Sequence, residues 1–236
     1  MGLRAAFFDV GDTLVENFRP LSASAADARA ALRTAFGDRP WFDRFITADL
    51  DPVDDGTLLE QDTTRWMAAW FEAEGLVCDI DLEALRTASV LPLELVSTPV
   101  PGAADALRWC KATGLRVVLV TNTLYRGDAE VLADWTRAGL GPLIDGVVSS
   151  HSVGRRKPHP LMFLRALELS GVGAAEAVMI GDNPVADIQG AGALGLRTVY
   201  RRTQLRPLPA EVRPDATVDD LVALPAVLRP WVDANS

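Results

Sequence analysis

The sequence predicts an α/β protein built on a doubly wound parallel sheet, and three observations carry that reading. First, three short apolar runs each lead into a polar turn. Ala5-Ala6-Phe7-Phe8 enters Asp9-Val10-Gly11-Asp12-Thr13, Val117-Val118-Leu119-Val120 enters Thr121-Asn122-Thr123, and Ala177-Val178-Met179-Ile180 enters Gly181-Asp182-Asn183. Ligands of open α/β sheets bind at the carboxyl ends of the strands, so charge gathered there marks a site. Second, from Gly102 onward helical and strand patterns alternate strictly, the rhythm of a parallel sheet with crossover helices. Third, the chain has 236 residues, 49% hydrophobic and 23% charged, a globular composition with room for one good core and a smaller accessory domain.

The elements follow in order. Arg4–Val10 reads as a central strand. Ser22–Phe36 is Ala-rich with mixed charge and reads as a helix that Ser22 or Ser24 can cap, broken by Gly37-Asp38-Arg39-Pro40. Trp41, Phe42, Phe45 and Ile46 have helical spacing, and 49–56 has loop chemistry. Leu58–Glu74 and Asp81–Ser89 read as further helices, and Pro92, Pro99 and Pro101 mark a return linker. Then come helix Ala103–Thr113, strand Arg116–Val120, helix Asp128–Ala138 and strand Gly146–Ser149. Helix His159–Leu169, strand Ala177–Ile180, helix Pro184–Leu194 and strand Arg197–Tyr200 complete the main pattern. Asp215–Val218 reads as a last short strand and Asp219–Leu228 as a helix.

A formal net charge of -9 sets the chain against nucleic acid and anionic membranes as partners. The two cysteines, Cys78 and Cys110, do not make a disulfide framework. The early apolar run is too short for a signal peptide, and no stretch has the length of a transmembrane helix, so a cytoplasmic protein is expected.

The strand-end residues carry a resemblance. Asp9 ends the first strand, Thr121 the second, Lys157 sits in Gly154-Arg155-Arg156-Lys157-Pro158-His159-Pro160, and Asp182 and Asp187 follow a later strand. In order and spacing, from Arg4 to about Leu224, this resembles the haloacid-dehalogenase-like (HAD) hydrolase superfamily, phosphatase type. The resemblance implies a Rossmann-like core of residues 1–14 and 99–236, with a helical cap of residues 15–98 inserted after the first strand. It implies Mg²⁺ as cofactor and a small phosphorylated molecule as substrate. Asp9 would be the nucleophile, forming an aspartyl-phosphate. Asp9, Asp182 and the Gly11 carbonyl would be metal ligands, with Asp187 joining them through water or holding Lys157, a hard-oxygen set suited to Mg²⁺. Thr121 and Asn122 would hold phosphate oxygens, and Lys157 would serve both phosphate and nucleophile.

Each residue also has a bland reading. Asp9 can cap a turn, Asp187 can be a helix-start carboxylate favoured by the dipole, and His159 reads better as a helix-start residue than as a catalyst. Trp41, Phe42, Phe45, Trp66 and Trp70 can line a substrate pocket, but mostly read as the cap's own core. Arg155, Arg156 and Lys157 form the obvious basic cluster for an anionic substrate.

One position departs from the family pattern. Most phosphatases of this superfamily carry a second Asp two residues after the nucleophile, as general acid and base; here that residue is Gly11, and Asp12 stands where the family has glycine. Asp12 is therefore a candidate acid only if the loop brings it to the site. A 2-haloacid dehalogenase, which also lacks that Asp, and a catalytically weakened phosphate-binding protein remain as alternatives.

Overall fold

The computed structural model describes residues 2–16, 21–48, 50 and 58–234. Strand β1 (Ala5–Phe8) has four fully buried residues, as a strand covered on both faces must. After it the chain enters a short strand β2 (Val15–Glu16) and a 3₁₀ turn, Leu21–Ser24. Among the described residues five helices follow: α1 (Ala25–Phe36), α2 (Phe42–Thr47), α3 (Thr63–Ala73), α4 (Leu82–Ala88) and α5 (Leu93–Val96). Strand β3 (Thr98–Pro99) pairs antiparallel with β2, and Val100 donates its N–H to the Leu14 carbonyl at 3.0 Å. The chain thus leaves and re-enters the sheet domain at one place.

The rest alternates: α6 (Ala103–Ala112), β4 (Arg116–Thr121), α7 (Asp128–Arg137), β5 (Gly146–Ser149), α8 (Ser150–Val153), α9 (Pro160–Ser170) and β6 (Ala177–Gly181). A π-helical turn, Pro184–Gln189, runs into α10 (Gly190–Gly192), then β7 (Arg197–Arg201), β8 (Ala216–Val218) and α11 (Leu224–Asp233). Six strands form one parallel sheet in the order β5-β4-β1-β6-β7-β8. This is a Rossmann-like α/β fold with a helical cap. Ala5 lies opposite Arg116 and Ala177, and the Asp9 N–H extends the ladder to the Ile180 carbonyl at 2.9 Å.

Period-two alternation divides the core between the sheet's faces. Ala6, Phe8, Val117, Leu119, Val178 and Ile180 pack with Leu107, Cys110, Leu224 and Leu228. Ala5, Phe7, Val118, Val120, Ala177 and Met179 pack with Met162, Phe163 and Ala166 of α9. The cap has an aromatic nucleus of its own: Trp41 meets Phe42 and Phe71 edge-on at 4.8 Å, and Phe45 stacks on Phe71 at 6.3 Å.

Four expectations need correction. The helix expected over Leu58–Glu74 starts at Thr63, capped by the Asp62 side chain, which accepts from the Arg65 N–H at 3.0 Å. Residues 58–62 are extended because they pair with the loop before Lys157: Arg156 N–H reaches the Leu59 carbonyl at 2.9 Å, and Glu60 bridges to Arg155. The return linker contains α5, because Leu93 and Val96 are buried on one side of a turn. The helix expected over Pro184–Leu194 is a π-helical turn and a short α segment, since Asn183 and Asp187 fold its start inward. Ser24 stands at the α1 N-cap position but makes no side-chain cap bond; its hydroxyl donates instead to the Leu95 carbonyl at 3.3 Å. Most of the loop expected at 49–56 lies outside the described residues. Both cysteines are free, and no described helix is long and apolar enough to cross a membrane.

Candidate active site

The carboxyl ends of β1, β4 and β6 open together into a cavity of about 650 Å³ between sheet and cap. Asp9, Gly11, Asp12, Thr121, Asn122, Lys157, Asp182 and Asp187 all line it, so the sequence-derived site residues meet in one place.

Lys157 is the centre of the arrangement. The side chain is fully buried, and its Nζ donates to Asp9 Oδ1 at 2.6 Å, to Asp187 Oδ1 at 2.6 Å and to the Val120 carbonyl at 2.7 Å. All three ammonium donors are used, which fixes the head group. Burial opposes its charge, but Asp187 and Asp9 outweigh burial and hold it above the usual lysine value, so it stays cationic. The Asn122 side chain grips the Lys157 backbone from both sides: Oδ1 accepts from Lys157 N at 2.8 Å and Nδ2 donates to Lys157 O at 3.2 Å. Thr121, buried beside it, donates its hydroxyl to the Asn122 carbonyl at 3.4 Å.

Asp187 comes from the π-helical turn. Asn183 starts that turn, its Oδ1 accepting from Val185 N at 3.0 Å and Ala186 N at 2.9 Å. Asp187 Oδ2 accepts from Asn183 N at 3.0 Å while Oδ1 meets Lys157. The turn closes tightly on the strand: a Cβ on Gly181 would lie 2.2 Å from Asp187 Oδ2, so only glycine fits there. Extra residues wound into such turns commonly occur at functional sites.

Asp182 faces the other way. Its Oδ2 accepts from Arg206 Nη1 at 2.6 Å, and the same nitrogen lies 3.4 Å from Asp12 Oδ2. Arg206 is the site residue that the sequence did not reveal. It stands in the loop after β7, where the Tyr200 hydroxyl donates to its carbonyl at 2.5 Å and its N–H reaches Thr203 Oγ1 at 3.3 Å. Its one sequence signal is an Arg-rich stretch, Arg201 to Arg206, with no periodicity that points inward.

The turn after β1 brings Asp12 into the cavity. Asp12 has φ +52, the left-handed region where glycine is usual and Asp is among the tolerated residues. Arg201 donates to its backbone carbonyl, which helps hold that conformation. Burial raises the Asp12 carboxyl above its ordinary value, although Arg206 pulls the other way.

The expected basic cluster is dispersed. Arg156 is buried and donates to Gln61 Oε1 at 2.8 Å, and Arg155 turns to Glu60 at 3.5 Å. Of the three, Lys157 bonds the acidic cluster, and Arg206 supplies the second cation. Gln61 also accepts from Ser150 Oγ at 3.1 Å and donates to Thr63 Oγ1 at 2.9 Å, so the cap holds the loop that carries Lys157. His159 does what a helix-start residue does: its Nδ1 accepts from Leu161 N at 3.2 Å. Trp41, Phe42 and Phe45 are buried in the cap's nucleus, and none of the five cap aromatics lines the cavity.

Asp9, Asp182 and Asp187 each place a carboxylate oxygen within 4.8 Å of the others, and all three are buried. Burial and the neighbouring Asp9 and Asp187 push Asp182 up to about 8, against the pull of Arg206. Burial and Asp9 push Asp187 up to about 7, against Lys157. Four carboxylates, counting Asp12, face two cations. That surplus of hard, negative oxygen suits a divalent cation such as Mg²⁺, which would relieve the repulsion that raises these values. Gly11 lines the same cavity.

This fold and strand-end site define a class, and comparison with known proteins agrees: the chain belongs to the haloacid dehalogenase-like hydrolases, whose family model matches residues 3–195. It is 39% identical over 121 residues to a phosphoserine phosphatase of Thermus thermophilus, a match that covers 51% of this chain and 47% of that protein. A phosphoglycolate phosphatase of Pseudomonas fluorescens is 28% identical over 235 residues, 96% of this chain and 80% of its own length. The chain thus spans about half the length of the first of these curated relatives. Among solved structures, a HAD phosphatase from Thermococcus onnurineus superposes with TM-score 0.63 at 23% identity, covering 96% of this chain and 98% of its own. A 2-haloacid dehalogenase from Pseudomonas syringae pv. Tomato gives 0.64 at 24%, covering 97% and 99%. These likenesses show the fold.

Proposed function

We propose that the protein is a Mg²⁺-dependent phosphatase of a small phosphorylated molecule, working through an aspartyl-phosphate on Asp9. The observation that carries this reading is the buried set Asp9–Lys157–Asp187 beside Asp182 at the strand ends. The curated relatives named as phosphatases support it.

In this reading an Asp9 carboxylate oxygen attacks phosphorus, the P–O bond to the leaving group breaks, and water later cleaves the acyl-phosphate. Lys157 fixes Asp9 and places positive charge where phosphoryl oxygens gather charge. Thr121 and Asn122, which line the cavity at the end of β4, would hold those oxygens. Asp9 and Asp182, with Asp187 and the Gly11 carbonyl, would hold Mg²⁺, which when bound supplies charge neutralisation for the transferring phosphoryl group. Asp12, whose carboxyl burial raises above its ordinary value against the pull of Arg206, lines the cavity and would protonate the departing oxygen. Residues 15–98 act as the cap that closes over the site and selects the substrate.

A screen of phosphate esters with and without Mg²⁺ tests this. Phosphate release that requires Mg²⁺ and disappears in Asp9→Asn is expected. No cleavage of any ester, together with metal-independent halide release from a 2-haloacid, would overturn it in favour of a dehalogenase.

A further inference from the structure

The cavity has two unlike ends. One is the charged strand-end site. The other lies under the cap and against α7, walled by Leu50, Leu91, Leu93, Val96, Val131 and Trp135. About 650 Å³ is far more than a phosphoryl group needs and falls in the range of roughly 300–1,000 Å³ of pockets that take larger organic ligands.

What the wall lacks matters as much as what it has. The phosphoserine and phosphoglycolate of the relatives' names carry a carboxylate besides the phosphate, and such a group needs a cation within reach. Among the described residues, the cations of the lining are already engaged. Lys157 holds Asp9 and Asp187, Arg206 holds Asp182, and Arg156 holds Gln61. Arg126 pairs with buried Asp134 at 2.8 Å and donates to the Leu91 carbonyl, so this pair adds no net charge to the far end. Of the hydroxyls there, Thr47 donates to Asp43 O, Ser89 to Leu85 O and Thr123 to Arg126 O, while the buried Trp135 Nε1 is an unpartnered neutral donor in an otherwise largely apolar wall.

We infer that the substrate is a phosphate monoester whose organic part is bulky, uncharged and apolar, seated between the cap's Leu91, Leu93 and Val96 and the α7 residues Val131 and Trp135. This rests on the phosphatase reading and names the substrate class of the same site.

The test is a homologous series, ethyl to octyl phosphate, in which leaving-group basicity is constant and only apolar surface changes. With Mg²⁺, kcat/KM is expected to rise about threefold per methylene, on the order of 50- to 100-fold from ethyl to hexyl phosphate. Hexyl phosphate should also exceed phosphoglycolate at least tenfold. A flat or falling series, or a preference for phosphoglycolate, overturns the inference while leaving the phosphatase standing. The matching n-alkylphosphonates, titrated by calorimetry, read chain length without turnover. If no ester is cleaved, the phosphatase reading fails, and a dissociation constant that ignores chain length refutes the apolar seat as well. Val131→Phe narrows that seat and is expected to compress the hexyl-to-ethyl ratio at least fivefold. An unchanged ratio in a folded variant would overturn the location, and if the variant does not fold, the series on the native chain decides.

Discussion

The carboxyl edge of the sheet and the nucleus of the cap are equally buried, yet they bury opposite things. In the cap, Trp41, Phe42, Phe45 and Phe71 exclude water with ring against ring. At the sheet edge, Asp9, Lys157, Asp182 and Asp187 are taken out of water to the same degree. The first arrangement stabilises by area removed from water. The second costs desolvation that its ion pairs only partly offset, and it leaves carboxylates repelling one another. A fold keeps such a cluster where reactivity needs it, so the edge is built for chemistry and the cap nucleus for cohesion.

The contrast breaks if changes in the two regions have the same effect. The largest difference is expected from Asp9→Asn: turnover on any phosphate ester falls by about 10⁴-fold or more, as for loss of a nucleophile. The thermal midpoint should change little, because Lys157 keeps Asp187 and the Val120 carbonyl. Steady-state rates and melting curves check both halves, and unchanged rates in the folded variant would remove Asp9 from the mechanism. Phe45→Ala is expected to do the reverse, costing about 3–5 kcal/mol of stability in denaturant titrations. Its effect on a small generic phosphate should be modest at temperatures where it stays folded.

Two changes sharpen the picture of the edge. Asp12→Asn should slow alkyl phosphates about 10²-fold and para-nitrophenyl phosphate hardly at all, because only a poor leaving group needs its proton supplied. Equal losses on both would assign Asp12 a structural role. Arg206→Gln removes a positive charge 2.6 Å from Asp182 Oδ2, and Mg²⁺ should then bind about tenfold more tightly by calorimetry. Unchanged or weaker binding would mean that Arg206 positions Asp182 rather than competing with the metal.

The last test is a pH dependence. In the unfolded chain Asp182 and Asp187 ionise near 4, at about the ordinary aspartate value, whereas in the fold they keep protons up to about 8 and about 7. The folded state binds more protons in that window, so stability falls as pH rises through it and levels off above. Without metal, the melting temperature should fall from roughly pH 5 to pH 8, and Mg²⁺ should flatten the curve. A midpoint that rises over this range in EDTA would contradict the raised values.

Much of this architecture is legible in the chain itself. Strands with both faces buried must read as continuous apolar runs, and a charge at the end of such a run has no packing reason to be there. That logic locates Asp9, Thr121 and Asp182, whereas Lys157, in the loop 154–160, is located by the family resemblance. It also reads the cap aromatics as core. The sequence could not decide the extended segment 58–62, because its apolar and polar residues suit a helix and only pairing with 154–156 makes it extended. Nor could it decide the π-helical turn, which exists because Asn183 caps and Asp187 bonds inward over Gly181. Local pattern determined the fold class, the order of elements and the chemistry of the strand ends, since these depend on neighbours in the chain. Tertiary structure alone decided that Arg206 rather than Arg155 bonds the acids, that Asp12 adopts a left-handed turn into the cavity, and that Leu91, Leu93, Val96, Val131 and Trp135 line that same cavity. Each depends on groups tens to hundreds of residues apart, brought together by the sheet order, and no periodicity in the sequence records that.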